Sequence, residues 1–411
     1  MPEGPGAGAG GSAHIPREDD PPPPAAGPRV LAALVVGQLG VHSTMAGVRL
    51  AAALQLLREG YSAWSVGLLL ALFAAAPVLL AMPAGRLADR HGYHRPVRVA
   101  ATLAIAGALL AVAASFVGGG WHFALLCAAA AATGTGANTG MLAIQRTAGL
   151  VARDATERVR IFSWMGIAPS FANVVGPVAV GFVIDGFGFA AAYALMALLP
   201  LATLVSARRV PHIAPPRTAR VPGRRAWDLL RTPGMARLLA VNWLLSMCWD
   251  VHLFAVPVLG HDRGFAAGTI GLVLGTFTLS VTLVRIAIPL VAHRLDELAV
   301  LRAAMVGTAL VFSAYPLAPN PWAMGLCAAL LGVTLGSVQP MVMTMLHHLT
   351  PDQRHGEALA LRSMAINTSS TLMPLVFGAT GALAGAAVLF WAVGGAVGAG
   401  SWVARRLAPV R

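Results

Sequence analysis

The chain has 411 residues, 57% of them hydrophobic and only 11% charged, with a mean hydropathy of +0.72. Soluble domains carry roughly 25% charged residues, so the composition excludes a soluble globular protein and reads as an integral membrane protein. The formal net charge of +13 comes from 29 basic residues, all arginine. They sit in short loops between apolar runs, as the positive-inside rule requires, so the charge does not point to nucleic acid.

Residues 1–28 are rich in Pro and Gly, with four prolines at Pro21–Pro24, and are expected to be a disordered tail. The apolar run from Val30 to about Leu57 is too long for the core of a signal peptide and is expected to stay as the first membrane span. Within it, Gln38, His42, Met45 and Arg49 recur at i, i+4, i+7 and i+11. Successive helical residues rotate by about 100°, which puts these four in an arc of roughly 60°. Lipid would penalise such an arc, so it faces either a central cavity or a neighbouring helix through packing hydrogen bonds. His42 sits near mid-depth, and its side chain can change charge near neutral pH.

A span needs about 20 apolar residues. Runs of that kind begin near residues 30, 64, 97, 122, 161, 189, 236, 268, 298, 322, 358 and 383. The second ends in Gly85-Arg86-Leu87-Ala88-Asp89-Arg90-His91-Gly92-Tyr93-His94-Arg95, which reads as a compact charged turn before the third. Glycine at both ends permits a tight turn, and Asp89 suits the positive end of a helix. The fourth span carries Asn138, with Gln145 and Arg146 toward its end. The longest interruption, residues 208–235, holds seven arginines from Arg208 to Arg231 and separates six spans from six. An even count puts both termini on one side, and the arginine-rich loops put that side in the cytoplasm. The expected organisation is a tail (1–28), a six-helix half (29–207), an Arg-rich cytoplasmic linker (208–235), a second six-helix half (236–405) and a short tail (406–411).

The seventh span brings Asn242, Ser246, Trp249 and Asp250. Of sixteen carboxylates, Asp250 alone lies well inside a predicted span. Burial favours the neutral acid and a nearby cation favours the carboxylate. Asp250 is therefore a candidate proton carrier or cation site, tuned by His42, His252 or Arg49, with a fixed structural ion pair as the alternative. Arg285 and Arg362 lie toward the cytoplasmic side and suit gating pairs as well as substrate contacts. Cys127, Cys248 and Cys327 all fall in apolar runs, so no disulfide framework is implied.

The halves are related. At a register of 204 residues, Gly60-Tyr61-Ser62-Ala63-Trp64-Ser65-Val66-Gly67-Leu68 falls on Gly264-Phe265-Ala266-Ala267-Gly268-Thr269-Ile270-Gly271-Leu272. Leu70 then meets Leu274, Phe73 meets Phe277 and Arg90 meets Arg294, and later Pro177 and Pro374 follow at similar depth. The second copy of the charged turn, Pro289-Leu290-Val291-Ala292-His293-Arg294, lacks the first glycine and has His293 where Asp89 would fall. Two related halves around a central site make a transporter layout.

The charged turn closely resembles the loop between the second and third helices of the major facilitator superfamily, G-x-L-a-D-r-x-G-r-r, with Gly85, Leu87, Asp89, Arg90, Gly92 and Arg95 at the key positions. The resemblance covers residues 29–405. It implies an all-α membrane fold of twelve transmembrane helices in two pseudo-symmetric halves that rock around a midplane cavity. It also implies that the turn latches the halves on the cytoplasmic side, one copy strong and the other degenerate. In the fifth span, Ala172–Gly181 partly resembles the G-x-x-x-G-P-x-x-G-G motif of drug/proton antiporters, with Ala172 and Val180 in place of two glycines. Met341, Met343, Met345, His347 and His348 resemble a soft-metal ladder and open a copper-transport alternative.

No Walker loop, nucleotide motif or paired carboxylates occur, so neither catalysis nor direct ATP use is expected. The expected function is a secondary transporter of a small molecule, proton-coupled and favouring export, with no cofactor and no bound metal. It would act as a monomer in the lipid of a bacterial inner membrane, given arginine without lysine and abundant Ala and Gly. Its candidate cavity residues are Gln38, His42, Arg49, Asn138, Asn242, Ser246, Trp249 and Asp250. A transporter-derived sensor that binds ligand without net flux is the alternative from another class.

Overall fold

A computed structural model describes residues 27–151, 155–211, 226–291, 296–350 and 355–404. The N-terminal tail, the middle of the Arg-rich linker and the C-terminal tail lie outside the described residues. Among the described residues, ten α-helices run in chain order: α1 Pro28–Arg58, α2 Ala63–His91, α3 His94–Ala114, α4 Gly119–Val151, α5 Ala155–Ala207, α6 Met235–Asp262, α7 Ala267–Val291, α8 Glu297–Ala314, α9 Pro321–Leu349 and α10 His355–Ala404. A short 3₁₀ turn, Ala226–Arg231, precedes α6.

Local chemistry sets the boundaries. Pro28 opens α1, where its missing N–H costs nothing. The Ser62 hydroxyl accepts from the Ser65 amide at the start of α2 (3.4 Å), and Asp296 accepts from the Ala299 amide at the start of α8 (2.6 Å). Helices α5 and α10 each contain two spans, joined at single glycines in the left-handed region, Gly188 (φ +81°) and Gly385 (φ +81°). Splitting them there gives the twelve spans. The two glycines stand in the same register as Pro177 and Pro374, so the repeat extends to backbone conformation.

Nine stretches among the described residues are long and apolar enough to cross a membrane. Large apolar side chains point outward along them, Leu79, Leu198, Leu310 and Leu326 among them. Such a surface is tolerated where lipid is the solvent.

The halves, α1–α5 and α6–α10, meet through two equivalent pairs, α5 on α7 and α2 on α10. Both contacts lie on the face opposite the chain's N-terminus, and both need glycine. A Cβ on Gly67 would sit 2.3 Å from the Pro374 carbonyl oxygen, and one on Gly271 would sit 2.5 Å from that of Pro177. Asp185 of α5 adds a polar lock across the same face. Its carboxylate accepts from the free amides of Ala267 (2.9 Å) and Gly268 (2.6 Å) at the start of α7, and Arg58 lies 3.7 Å away. Asp185→Ala is expected to lower stability by about 1 kcal/mol, the usual value of a helix N-cap. Asp185→Asn, which keeps one acceptor, should lose less. Thermal unfolding of the three proteins measures this, and equal midpoints for all three would remove the lock.

One expectation changes. Residues 85–91 are not a loop but the last two turns of α2, and the turn is confined to Gly92 (φ +66°) and Tyr93. Leu, Ala and Arg are good helix formers, and Gly92 is the first residue that must take a positive φ. Gly85 lies in the helix with open space around it, so it makes no close approach.

Candidate functional site

Between the halves lies a cavity of about 330 Å³. It reaches from mid-depth toward the N-terminal face, with Arg285 and Arg362 within about two turns of that end of their helices. The N-terminal half contributes Arg49 from α1 and Pro169, Ser170 and Asn173 from α5. The C-terminal half contributes Asn242, Ser246, Trp249 and Asp250 from α6, Arg285 from α7, Gln339 from α9, and Arg362 and Ser370 from α10.

Asp250 is buried, and two hydroxyls from α10 hold its carboxylate. Ser369 donates at 2.9 Å and Ser370 at 3.1 and 3.3 Å to its two oxygens. Arg49, from the opposite half, lines the same cavity. A proton added to or removed from Asp250 therefore changes a force acting between the two halves. Trp249 stands edge-on to Phe277, with ring centroids 4.7 Å apart, which fixes one wall.

Arg285 donates to the Gln339 amide oxygen (2.8 Å) and lies 3.5 Å from the Ser170 hydroxyl of the other half. Arg362 lines the same cavity as Arg285. The Nε atoms of Arg49, Arg285 and Arg362 are buried without a hydrogen-bond partner among the described residues.

Of the eight cavity candidates, the structure brings five together: Arg49, Asn242, Ser246, Trp249 and Asp250. Gln38, His42 and Asn138 do not line the cavity. Gln38 and His42 are buried nearer the start of α1, outside the cavity. Of the arc, only its far end, Arg49, reaches the cavity. His252 does not tune Asp250: its Nε2 shares a hydrogen bond with the Tyr315 hydroxyl (3.0 Å) and its ring lies against Phe277.

Sequence reasoning missed Ser170, Gln339 and Ser370 and ranked Arg285 and Arg362 low. One signal was available. Asn367-Thr368-Ser369-Ser370-Thr371 is a polar run inside an apolar span, where each polar group needs a partner.

In the charged motif, Leu87 is half-buried and Arg90 exposed, and exposed Arg95 hydrogen-bonds to His91 (2.7 Å). Arg146 from α4 donates to the Ala88 carbonyl near the end of α2. The Asp89 side chain and residues 292–295 of the second copy lie outside the description. Met341 and Met345 are buried and Met343 half-buried, all away from the cavity. The three cysteines are free thiols, and no group of three or more His, Cys, Asp or Glu placed to hold a metal ion occurs among the described residues.

Comparison with curated protein sequences gave no match. Among solved structures, the chain is similar to the nucleoside transporter NupG (TM-score 0.74, 14% identity, covering 92% of this chain and 99% of that one). It is also similar to a peptide transporter POT in complex with sulfate (TM-score 0.74, 13% identity, 93% and 94%). A bacterial homologue of the iron transporter ferroportin in an inward-facing state gives a TM-score of 0.68 at 16% identity, covering 91% and 98%. At these identities the likeness concerns the fold. The sequence profile of the Major Facilitator Superfamily matches residues 34–248 and 238–411, nearly the whole described chain in two copies. With its twelve spans, its repeated halves and the cavity between them, the chain belongs to the major facilitator superfamily.

Proposed function

We propose that this protein is a secondary active transporter that moves a small molecule by alternating access and couples that movement to protons through Asp250. The observation that carries this reading is that Asp250 from one half and Arg49 from the other line the same central cavity. A charged Asp250 draws Arg49 toward it and holds the halves together at mid-depth. A protonated Asp250 releases Arg49, so proton occupancy biases the rocking of one half against the other.

The N-terminal face is the cytoplasmic one, because the arginines flanking the α2–α3 turn and Arg208, Arg209 and Arg231 lie there. The glycine contacts and Asp185 then seal the outer side, and the cavity faces inward. Asp89 and its neighbouring arginines act at the inner gate, where the end of α2 is already held by Arg146. The protein works as a monomer in a bacterial inner membrane, since all twelve spans needed for the cavity come from one chain.

The test uses purified protein in liposomes that contain a pH-sensitive dye, challenged with a panel of small organic molecules. The expected result is proton movement that accompanies the uptake of one class of molecule and accumulation that follows an imposed pH gradient. A molecule that raises the unfolding midpoint yet never accumulates under any gradient would make the protein a sensor instead.

A further inference from the structure

The charges of the cavity do not balance. Among the described residues, three guanidinium groups, from Arg49, Arg285 and Arg362, face one carboxylate, and that carboxylate is already held by two serine hydroxyls. If Arg49 is set against Asp250, Arg285 remains with only neutral partners, Gln339 and Ser170, and Arg362 has no hydrogen bond or ion pair among the described residues. Two like charges with unpartnered Nε–H donors, in a cavity closed on one side, are costly. Such an arrangement is stable in a folded protein when an anion completes it. The planar fork of arginine matches the oxygens of a carboxylate or phosphate in a way that a single point charge does not.

We propose that the cavity takes a small organic oxyanion, with its carboxylate or phosphate held between Arg285 and Arg362 and its body against Trp249. The inference rests on reading this cavity as the transport site and names the class of substrate. The size agrees. About 330 Å³ is at the lower end of the ~300–1,000 Å³ typical of ligand pockets, which suits a metabolite rather than a peptide or a large drug. Leu245, Leu335 and Ile366 supply an apolar wall, so the body is organic rather than a bare inorganic ion. The two anchoring arginines lie in the C-terminal half, and Ser170 reaches Arg285 from the other half. An anion that draws Arg285 away from Ser170 therefore loosens a contact between halves, which gives binding a route to the rocking motion.

The experiment uses the full chain in detergent with benzoate, succinate and phenyl phosphate as probes, and benzamide, succinamide and benzylamine as uncharged or cationic counterparts. Two readouts are taken: the thermal unfolding midpoint, and the rate at which phenylglyoxal modifies Arg285 and Arg362, followed by mass spectrometry. At least one oxyanion is expected to raise the midpoint and slow modification at both arginines, with its counterpart inert. Binding should weaken roughly 10- to 100-fold in Arg285→Gln and Arg362→Gln, and less in Arg285→Lys. The footprint on the unaltered protein gives an answer even if a variant fails to fold. Protection by benzoate or succinate alone assigns a carboxylate, and protection by phenyl phosphate alone assigns a phosphate. The proposal is overturned if no oxyanion protects, or if amides protect as well as acids. Liposome flux separates the two readings. Accumulation of an uncharged molecule that is indifferent to both Gln variants sinks the anion site alone, whereas an oxyanion that binds but never accumulates leaves the site and sinks the transporter.

Discussion

Asp250→Asn is expected to abolish accumulation driven by a pH gradient while leaving exchange of substrate down its own gradient. Asparagine keeps the shape of the side chain and one acceptor for Ser369 or Ser370, but it can neither gain nor lose a proton. Arg49 would then feel the same neutral partner in every state of the cycle. The coupling between proton and substrate, commonly 1–3 kcal/mol in linked systems, disappears, and accumulation falls by roughly a factor of ten to a hundred. Flux measured across a series of pH values should flatten accordingly. Removing a charge from a pair can leave the other one stranded, a serious cost when both are buried. Arg49 is only half-buried and lines the cavity, so the folded protein should survive. Intact pH-driven accumulation in Asp250→Asn would remove the carboxylate from the coupling step and make His42 the next residue to test.

The combined change Gly67→Ala and Gly271→Ala is expected to open the face that the structure shows sealed. Each new methyl would lie within 2.5 Å of a carbonyl oxygen in the facing helix, and backbone cannot swing aside as a side chain can. Overpacking of this kind costs about 1–3 kcal/mol per site. The strain exists only while α2 meets α10 and α5 meets α7, so it is relieved when the halves part on that face. Since 1.4 kcal/mol is a factor of about ten in an equilibrium, two such sites shift the population by roughly two orders of magnitude. Spin labels at Gly120 and Pro319, one in each half, in a cysteine-free background would report this as a move to longer distances. Transport should fall because the inward-facing state becomes scarce. An unchanged distance distribution with normal transport would show that these glycines do not control closure.

Much of the architecture was legible because a membrane leaves the chain few choices. Every backbone polar group must be paired inside the apolar layer, so long apolar runs become helices and their number can be counted from the sequence. The helix starts read from Gly, Pro and charge fall within about six residues of those observed. The repeat was visible in residue identities, and it reappears as equivalent contacts at Gly67 and Gly271 and equivalent bends at Gly188 and Gly385. The turn near Gly85 was drawn too wide because a charge cluster reads as a loop, although arginine and alanine continue a helix readily.

The site was only partly legible, for a different reason. Helical periodicity gives the angle of a side chain about its own helix, but not which neighbour covers that angle at a given depth. Gln38, His42 and Arg49 share an arc, yet only Arg49 lines the cavity, while Gln38 and His42 are buried outside it. Arg285 and Arg362 looked peripheral in the sequence and prove to be walls of the cavity, because α7 and α10 present those turns inward. By itself, the sequence determined the membrane class, the number of spans, the duplication, and Asp250 as the one acidic group deep in a span. Which of its polar residues meet was decided only by the packing of the two halves. Contact between them depends on helix rotation and depth in three dimensions, and no local run of residues encodes either.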